Sequence, residues 1–206
     1  MTPLHSNDPD RKLIEACQAS PKKGLEGPFR DLYELYRDRV YSVCYRITGN
    51  ATDALDASQE TFGILFRKVE GFRFESRFSS WVYRIAVNTS IDLKRRAGAR
   101  SSASLEALQA SAEGRGTRFD LHDEVTEAPA DAAARHELEA EVQRAIQRLS
   151  PKMRSITVLR YTEGLSYDQI AEALQVSLGT VKSRLSRAHA ALDRELNPVV
   201  DKYFLR

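Results

Sequence analysis

Residues Leu165–Leu192, LSYDQIAEALQVSLGTVKSRLSRAHAAL, read as two short helices joined by a tight turn. Ser166 and Gln169 stand at the spacing of a capping box, in which the serine hydroxyl and the glutamine side chain satisfy amide groups that a helix start leaves without partners. Ile170, Ala171 and Leu174 recur at helical spacing, the turn Gln175-Val176-Ser177 follows, and Ser177 is placed to cap the next helix. There Val181, Leu185, Ala188 and Leu192 fall on one face, the stripe of a helix packed on a core. Lys182, Ser183, Ser186 and Arg187 point elsewhere, flanked by Thr180 and Arg184, so the helix offers hydroxyls and cations that suit phosphates and base edges in a major groove. A solvated basic face explains the charges alone; two caps, a turn and a matched apolar stripe together favour a helix-turn-helix.

Working towards the N-terminus, Ser150-Pro151 opens a helix expected to reach Glu163, with Gly164 as its stop, and Leu138, Val142, Ala145, Ile146 and Leu149 predict another before it. From Gly98 to about Asp131 the chain is rich in Ala, Ser, Gly and acids without steady periodicity, which predicts a flexible linker. Upstream, Phe29 to Ile47 traces a helical stripe ended by Gly49-Asn50. Thr52 or Asp53 then caps a helix to about Glu70 with Leu55, Phe62, Leu65, Phe66 and Val69 on its buried side. After a loop, Gly71–Ser76, a third helix runs from Phe78 to Arg96. No strand pattern emerges. The expectation is an all-α chain of two small helical domains: an N-terminal extension with a short helix (1–24), a helical bundle (25–97), an acidic linker (98–132) and a helix-turn-helix domain (133–206).

The 206 residues, 42% hydrophobic, suffice for such cores. No apolar run approaches the roughly 20 residues that span a bilayer, and the start MTPLHSNDPDRKL lacks a signal-peptide core, so a cytoplasmic protein without membrane insertion is expected. Cys17 and Cys44 form no CxxC or Cys/His cluster; buried reduced thiols are the simplest reading, and a redox role stays open. The net charge of +2 averages opposite segments: 73–100 holds seven cations against two acids, net +5, and 113–141 holds nine acids against three cations, net −6. Basic regions flanking an acidic connector fit two nucleic-acid-binding ends. No metal ligand set, cofactor loop or nucleophile motif stands out, so no cofactor and no enzymatic activity are expected.

Two blocks in order carry a resemblance to a known family: DALDASQETF (Asp53–Phe62) with GFRFESRFSSWVYRIAVNTSIDLKRR (Gly71–Arg96), and the C-terminal LSPKMRSITVLRYTEGLSYDQIAEALQVSLGTVKSRLSRAHAAL (Leu149–Leu192). They resemble the extracytoplasmic-function (group IV) sigma factors of bacterial RNA polymerase, with a region 2 bundle and a region 4 helix-turn-helix domain. The resemblance implies that Asp53, Asp56, Gln59 and Glu60 dock on the β′ clamp helices of core polymerase, with the β flap as a second contact. It implies that Phe72, Arg73 and Asn88 open and read the minus-ten element, with Arg84, Lys94, Arg95 and Arg96 on the adjacent backbone. At the minus-thirty-five element it implies Thr180, Lys182, Ser183, Arg184, Ser186 and Arg187, with Arg160 as a supporting phosphate contact; the short Ser186 departs from the bulkier or cationic residues common among relatives. Trp81 fits a core role and a base-stacking role equally. An anti-sigma partner, and an acidic linker threaded towards the RNA exit path, are further implications. The alternatives are an operator-binding regulator that acts without polymerase, a redox-responsive binding protein keyed to the two cysteines, and, more remotely, a hydrolase or transferase.

Overall fold

The computed structural model describes residues 8–19, 27–105 and 129–204. Among them are eight α-helices and no strand: α1 (Arg11–Ala19), α2 (Pro28–Thr48), α3 (Ala51–Lys68), α4 (Phe78–Leu105), α5 (Pro129–Arg148), α6 (Pro151–Tyr161), α7 (Tyr167–Leu174) and α8 (Leu178–Phe204), with a short 3-10 turn at Val69–Gly71. Helices α4 and α5 both extend into the stretch read as linker, and residues 106–128 lie outside the described residues.

Helices α2, α3 and α4 pack on one another as a bundle, with α1 laid against α2 and the 3-10 turn. Leu32, Tyr36, Val40, Val43, Cys44 and Ile47 of α2 meet Phe62 and Leu65 of α3 and Phe78, Val82 and Ala86 of α4, all buried. Burying each large side chain contributes roughly 1.5–3 kcal/mol. The buried face of α3 is built largely from small residues, Ala54, Ala57, Ser58 and Thr61, which bring its backbone close to its neighbours. Leu55 and Phe66, expected on that face, are each 36% exposed instead. The N-cap of α3 is Asn50 rather than Thr52 or Asp53: its Oδ1 accepts from the Asp53 amide at 2.8 Å, and Asp53 in turn takes an Asn50 Nδ2 hydrogen bond at 2.7 Å.

The C-terminal domain gathers Ile146, Leu149, Ile156, Leu159, Leu165, Ile170, Ala173, Val181 and Leu185 into its core. Both expected caps form, with the full capping box at Ser166 and Gln169 and a Thr180 amide donating to Ser177 Oγ at 3.1 Å. Ser150 does occupy the N-cap of α6 ahead of Pro151, although its side chain makes no capping bond. The turn between α7 and α8 is closed by Gln175 in the left-handed region, φ 53°.

Sequence reading missed the seam between the two domains, which is made of helix ends. Tyr45 O already accepts from the Gly49 amide at 2.9 Å, and the carbonyls beyond it rely on side chains. Gln143 Nε2 donates to Tyr45 O at 3.2 Å, Gln147 Nε2 to Arg46 O at 2.8 Å, Arg154 Nη1 to Ile47 O at 2.9 Å and Lys94 Nζ to Thr48 O at 2.9 Å. Gly49 closes α2 at φ 90°, a left-handed conformation that favours glycine, and a β-carbon there would lie 2.7 Å from the Gln147 side chain and push it from its place. About three turns earlier on α4, Tyr83 donates to Glu163 Oε2 at 2.6 Å, and Arg39 of α2 pairs with the same oxygen at 3.2 Å. The Glu163 side chain is 3% exposed; burial pushes its carboxyl above the ordinary glutamate range, while the tyrosine hydroxyl and the guanidinium pull it back.

Candidate nucleic-acid interface

Three surfaces hold the residues singled out by sequence. On α3, Asp56, Gln59 and Glu60 are exposed and make no ion pair among the described residues, whereas Asp53 is half-buried and committed to the Asn50 cap. The exposed Leu55 and Phe66 leave apolar surface on the same helix.

The second surface is the loop 72–77 and the start of α4. Arg73 and Asn88 are exposed, as are Arg95, paired with Asp92 at 3.1 Å, and Arg96. Phe72 is only half-exposed: its ring packs edge-on to Phe74 and Phe78 and tilts over Trp81 at 5.0 Å. Trp81 thus belongs to an aromatic cluster while keeping part of its surface open. A cleft of about 950 Å³ opens beside this cluster, with Arg67, Lys68, Arg73 and Arg84 but also Glu70 and Glu75 around Phe72 and Trp81, and Glu172 of α7 and its C-cap Gln175 as the far wall. Such an aromatic floor can stack an unpaired base, with the cations among its carboxylates in reach of the phosphates.

Two cations expected at phosphates are held by the protein. Arg84 Nε donates to Ala173 O at 3.2 Å, at the end of α7. Lys94 bridges Thr48 O and Gln147 Oε1, the latter at 2.7 Å, and burial, then the neighbouring Arg154, lowers its pKa. Glu172 reaches back from α7 to α4, accepting from the Arg77 amide at 3.3 Å and from Ser80 Oγ at 2.7 Å.

The third surface is the outward face of α8. Val181, Leu185 and Ala188 are buried, leaving Lys182, Ser183, Ser186 and Arg187 exposed and Thr180 and Arg184 partly so. Thr180 shares a 2.8 Å hydrogen bond with Ser177, and Arg187 Nε folds back onto Ser183 O at 3.2 Å. Arg160 supports the helix-turn-helix from within, donating to Leu165 O at 2.8 Å and lying over the Tyr167 ring. Among the described residues no group of three His, Cys, Asp or Glu side chains is arranged to hold a metal ion, and no helix is long and apolar enough to cross a membrane.

The sequence matches the sigma-70 region 2 family over residues 32–100 and sigma-70 region 4 over residues 139–192. It is 35% identical over 178 residues to the ECF RNA polymerase sigma factor SigW of Bacillus subtilis, covering 85% of this chain and 92% of that one. The chain belongs to the extracytoplasmic-function sigma factors. This sigma factor is also 35% identical over 196 residues to the RNA polymerase sigma-H factor of Pseudomonas aeruginosa, covering 95% and 97% of the two chains. Its fold is similar to that of the sigma factor RpoE solved with the anti-sigma factor NepR from Bartonella quintana (TM-score 0.61, 21% identity, 82% of this chain and 96% of that one). It is similar, too, to CnrH solved with the cytosolic domain of CnrY (TM-score 0.63, 24% identity, 92% and 97%). As a member of this family of transcription initiation factors, the sigma factor binds core RNA polymerase and directs it to promoters.

Proposed function

We propose that the three surfaces divide the work of initiation. Asp56, Gln59 and Glu60, with Asp53 as a positioned neighbour, dock on the β′ clamp helices of core polymerase, where exposed carboxylates steer the encounter and Leu55 and Phe66 add apolar contact. Phe72, Arg73 and Asn88 capture the opened minus-ten strand, and Arg95 and Arg96 hold the flanking duplex. Arg84 and Lys94 join them once released from Ala173 and Thr48. In the minus-thirty-five groove Lys182, Ser183, Arg184, Ser186 and Arg187 face the bases and phosphates, Thr180 and Arg160 fix the helix-turn-helix that presents them, and the domain rests on the β flap. The protein works in the cytoplasm, catalysis belongs to the polymerase, and an anti-sigma factor holds the chain inactive, in line with the partners of the two solved relatives. The acidic residues Asp120, Asp123, Glu124 and Glu127 lie outside the described residues; from the family resemblance, with which their charge is consistent, we assign them to the RNA exit path.

The observation that carries this reading is the cleft beside α4, where Arg67, Lys68, Arg73 and Arg84, interspersed with Glu70, Glu75 and Glu172, stand around aromatic rings that can stack an opened base. The deciding experiment is transcription in vitro with supplied core polymerase over a randomised promoter library. The expected result is transcripts only with core present, from promoters sharing two spaced elements. Asp56→Lys with Glu60→Lys should weaken core binding at least about tenfold, the loss of a few charge-complementary contacts. Operator binding without core, or undiminished core binding by the charge-reversed protein, would overturn it.

A further inference from the structure

Residues 8–19 precede the region 2 match, which begins at residue 32, yet three of their side chains reach the loop 72–77 at its start, middle and end. At the start, Gln18 Nε2 spends both amide hydrogens on the turn that launches the loop, donating to Val69 O at 3.1 Å and to Phe72 O at 2.8 Å. In the middle, the Arg11 guanidinium lies 4.5 Å from the centre of the Phe74 ring. Phe74 is 6% exposed with φ 55°, a conformation that a bulky residue without a short polar side chain adopts only when its surroundings impose it. At the end, the Phe78 amide, in the first turn of α4, donates to Asp8 Oδ2 at 2.7 Å, and Asp8 Oδ1 accepts from the Asp10 amide at 3.0 Å. Buried Ile14 and Cys17 anchor α1 beneath these contacts.

We propose that Gln18, Arg11 and Asp8 are positioning residues for promoter reading. They hold the strained Phe74 backbone, and through it set where Phe72 and Arg73 stand against the opened strand, so that α1 tunes base preference in the minus-ten element without touching DNA. The inference rests on the assignment of the loop to that element. A clamp of this kind acts on geometry: releasing it leaves the exposed α3 face unaltered, so core binding and promoter discrimination separate.

The test uses the full chain with core polymerase on a library randomised across the minus-ten element. Variants are Gln18→Ala, Gln18→Glu (same shape, no donors), Arg11→Ala and Arg11→Lys, with Phe72→Ala and Arg73→Ala reporting on the loop itself. The clamp predicts that Gln18→Ala, Gln18→Glu and Arg11→Ala each lower base discrimination by about threefold or more, with unchanged core affinity. In the two Gln18 variants hydrogen exchange across 69–77 should quicken by about tenfold, as for the loss of two hydrogen bonds. Arg11→Lys, which keeps a cation over the ring, should stay near the parent. If the loop variants change base preference and the α1 variants do not, the inference falls and the loop assignment stands. If the loop variants also change nothing, the loop assignment falls and the inference with it. Should Gln18→Ala fail to fold, Arg11→Ala, at a partly exposed position, decides alone.

Discussion

Replacing Arg154 by methionine keeps a long side chain and removes every donor. Arg154 is 6% exposed and its guanidinium reaches four backbone carbonyls: Ile146 at 3.1 Å, Leu149 at 3.0 Å, Ile47 at 2.9 Å and Gln147. Hydrogen bonds from a charged donor contribute about 1.5–3 kcal/mol each, so four would contribute roughly 6–12 kcal/mol if they simply added. Two of the carbonyls keep a second, longer partner, Ile47 from Gln147 Nε2 at 3.4 Å and Ile146 from the Leu149 amide at 3.2 Å. The mutation also ends the cost of burying the charge, which is what lowers the Arg154 pKa. Taking half the lower figure, Arg154→Met should destabilise the protein by about 3 kcal/mol, lowering Tm by roughly 6–12 °C for a chain of this size. Arg154→Lys, a single point donor, should fall between. Thermal unfolding followed by circular dichroism, with urea titration as a second route, measures both. A Tm within about 2 °C of the parent would refute the idea that this guanidinium carries the ends of α2 and α5.

Glu163 should make stability depend on pH. Its folded pKa lies above the ordinary value, so the folded state favours the proton; that contribution is full below the unfolded glutamate value of about 4.3 and is lost as pH rises through the folded value. Glu163→Gln cannot titrate, so the Tm of the parent minus that of the variant should be larger near pH 5 than near pH 8, and a flat difference would contradict the burial argument. For DNA, Lys182→Ala in the holoenzyme should weaken promoter binding across sequences and reduce the slope of log affinity against log salt by about 1, read from filter binding at several salt concentrations; an unchanged slope removes Lys182 from the phosphates. Burial raises the Cys44 thiol to about 11 and pushes Cys17 up as well, so both should resist Ellman's reagent at pH 8 until urea unfolds the protein. Prompt labelling of the native chain would reopen a redox role.

The helix-turn-helix was readable because its signals are local: Ser166, Gln169 and Ser177 cap within three residues, and the stripe Val181, Leu185, Ala188 has one period. Helix α3 was misjudged where hydrophobicity and burial part company. The chain hides Ala54, Ala57, Ser58 and Thr61 because small side chains allow close approach, and leaves Leu55 and Phe66 outside although they are more apolar. Its cap was ambiguous because Asn50, Thr52 and Asp53 can all serve. Arg84 and Lys94 read as free cations since their carbonyl partners, Ala173 and Thr48, stand 89 and 46 residues away. No spacing rule reaches that far. The contributions of Gln18 and Arg11 were invisible for the same reason.

The polar join between the two halves has a consequence for how the molecule comes apart. Tyr45, Arg46 and Ile47 offer Gln143, Gln147 and Arg154 only oxygen atoms that a solvent molecule serves nearly as well. Parting there swaps one set of donors for another, much as a wet fold in paper peels open without tearing. Arg154, held at the same time by Ile146, Gln147 and Leu149, would stay with the C-terminal half, so only its bond to Ile47 would pass to water.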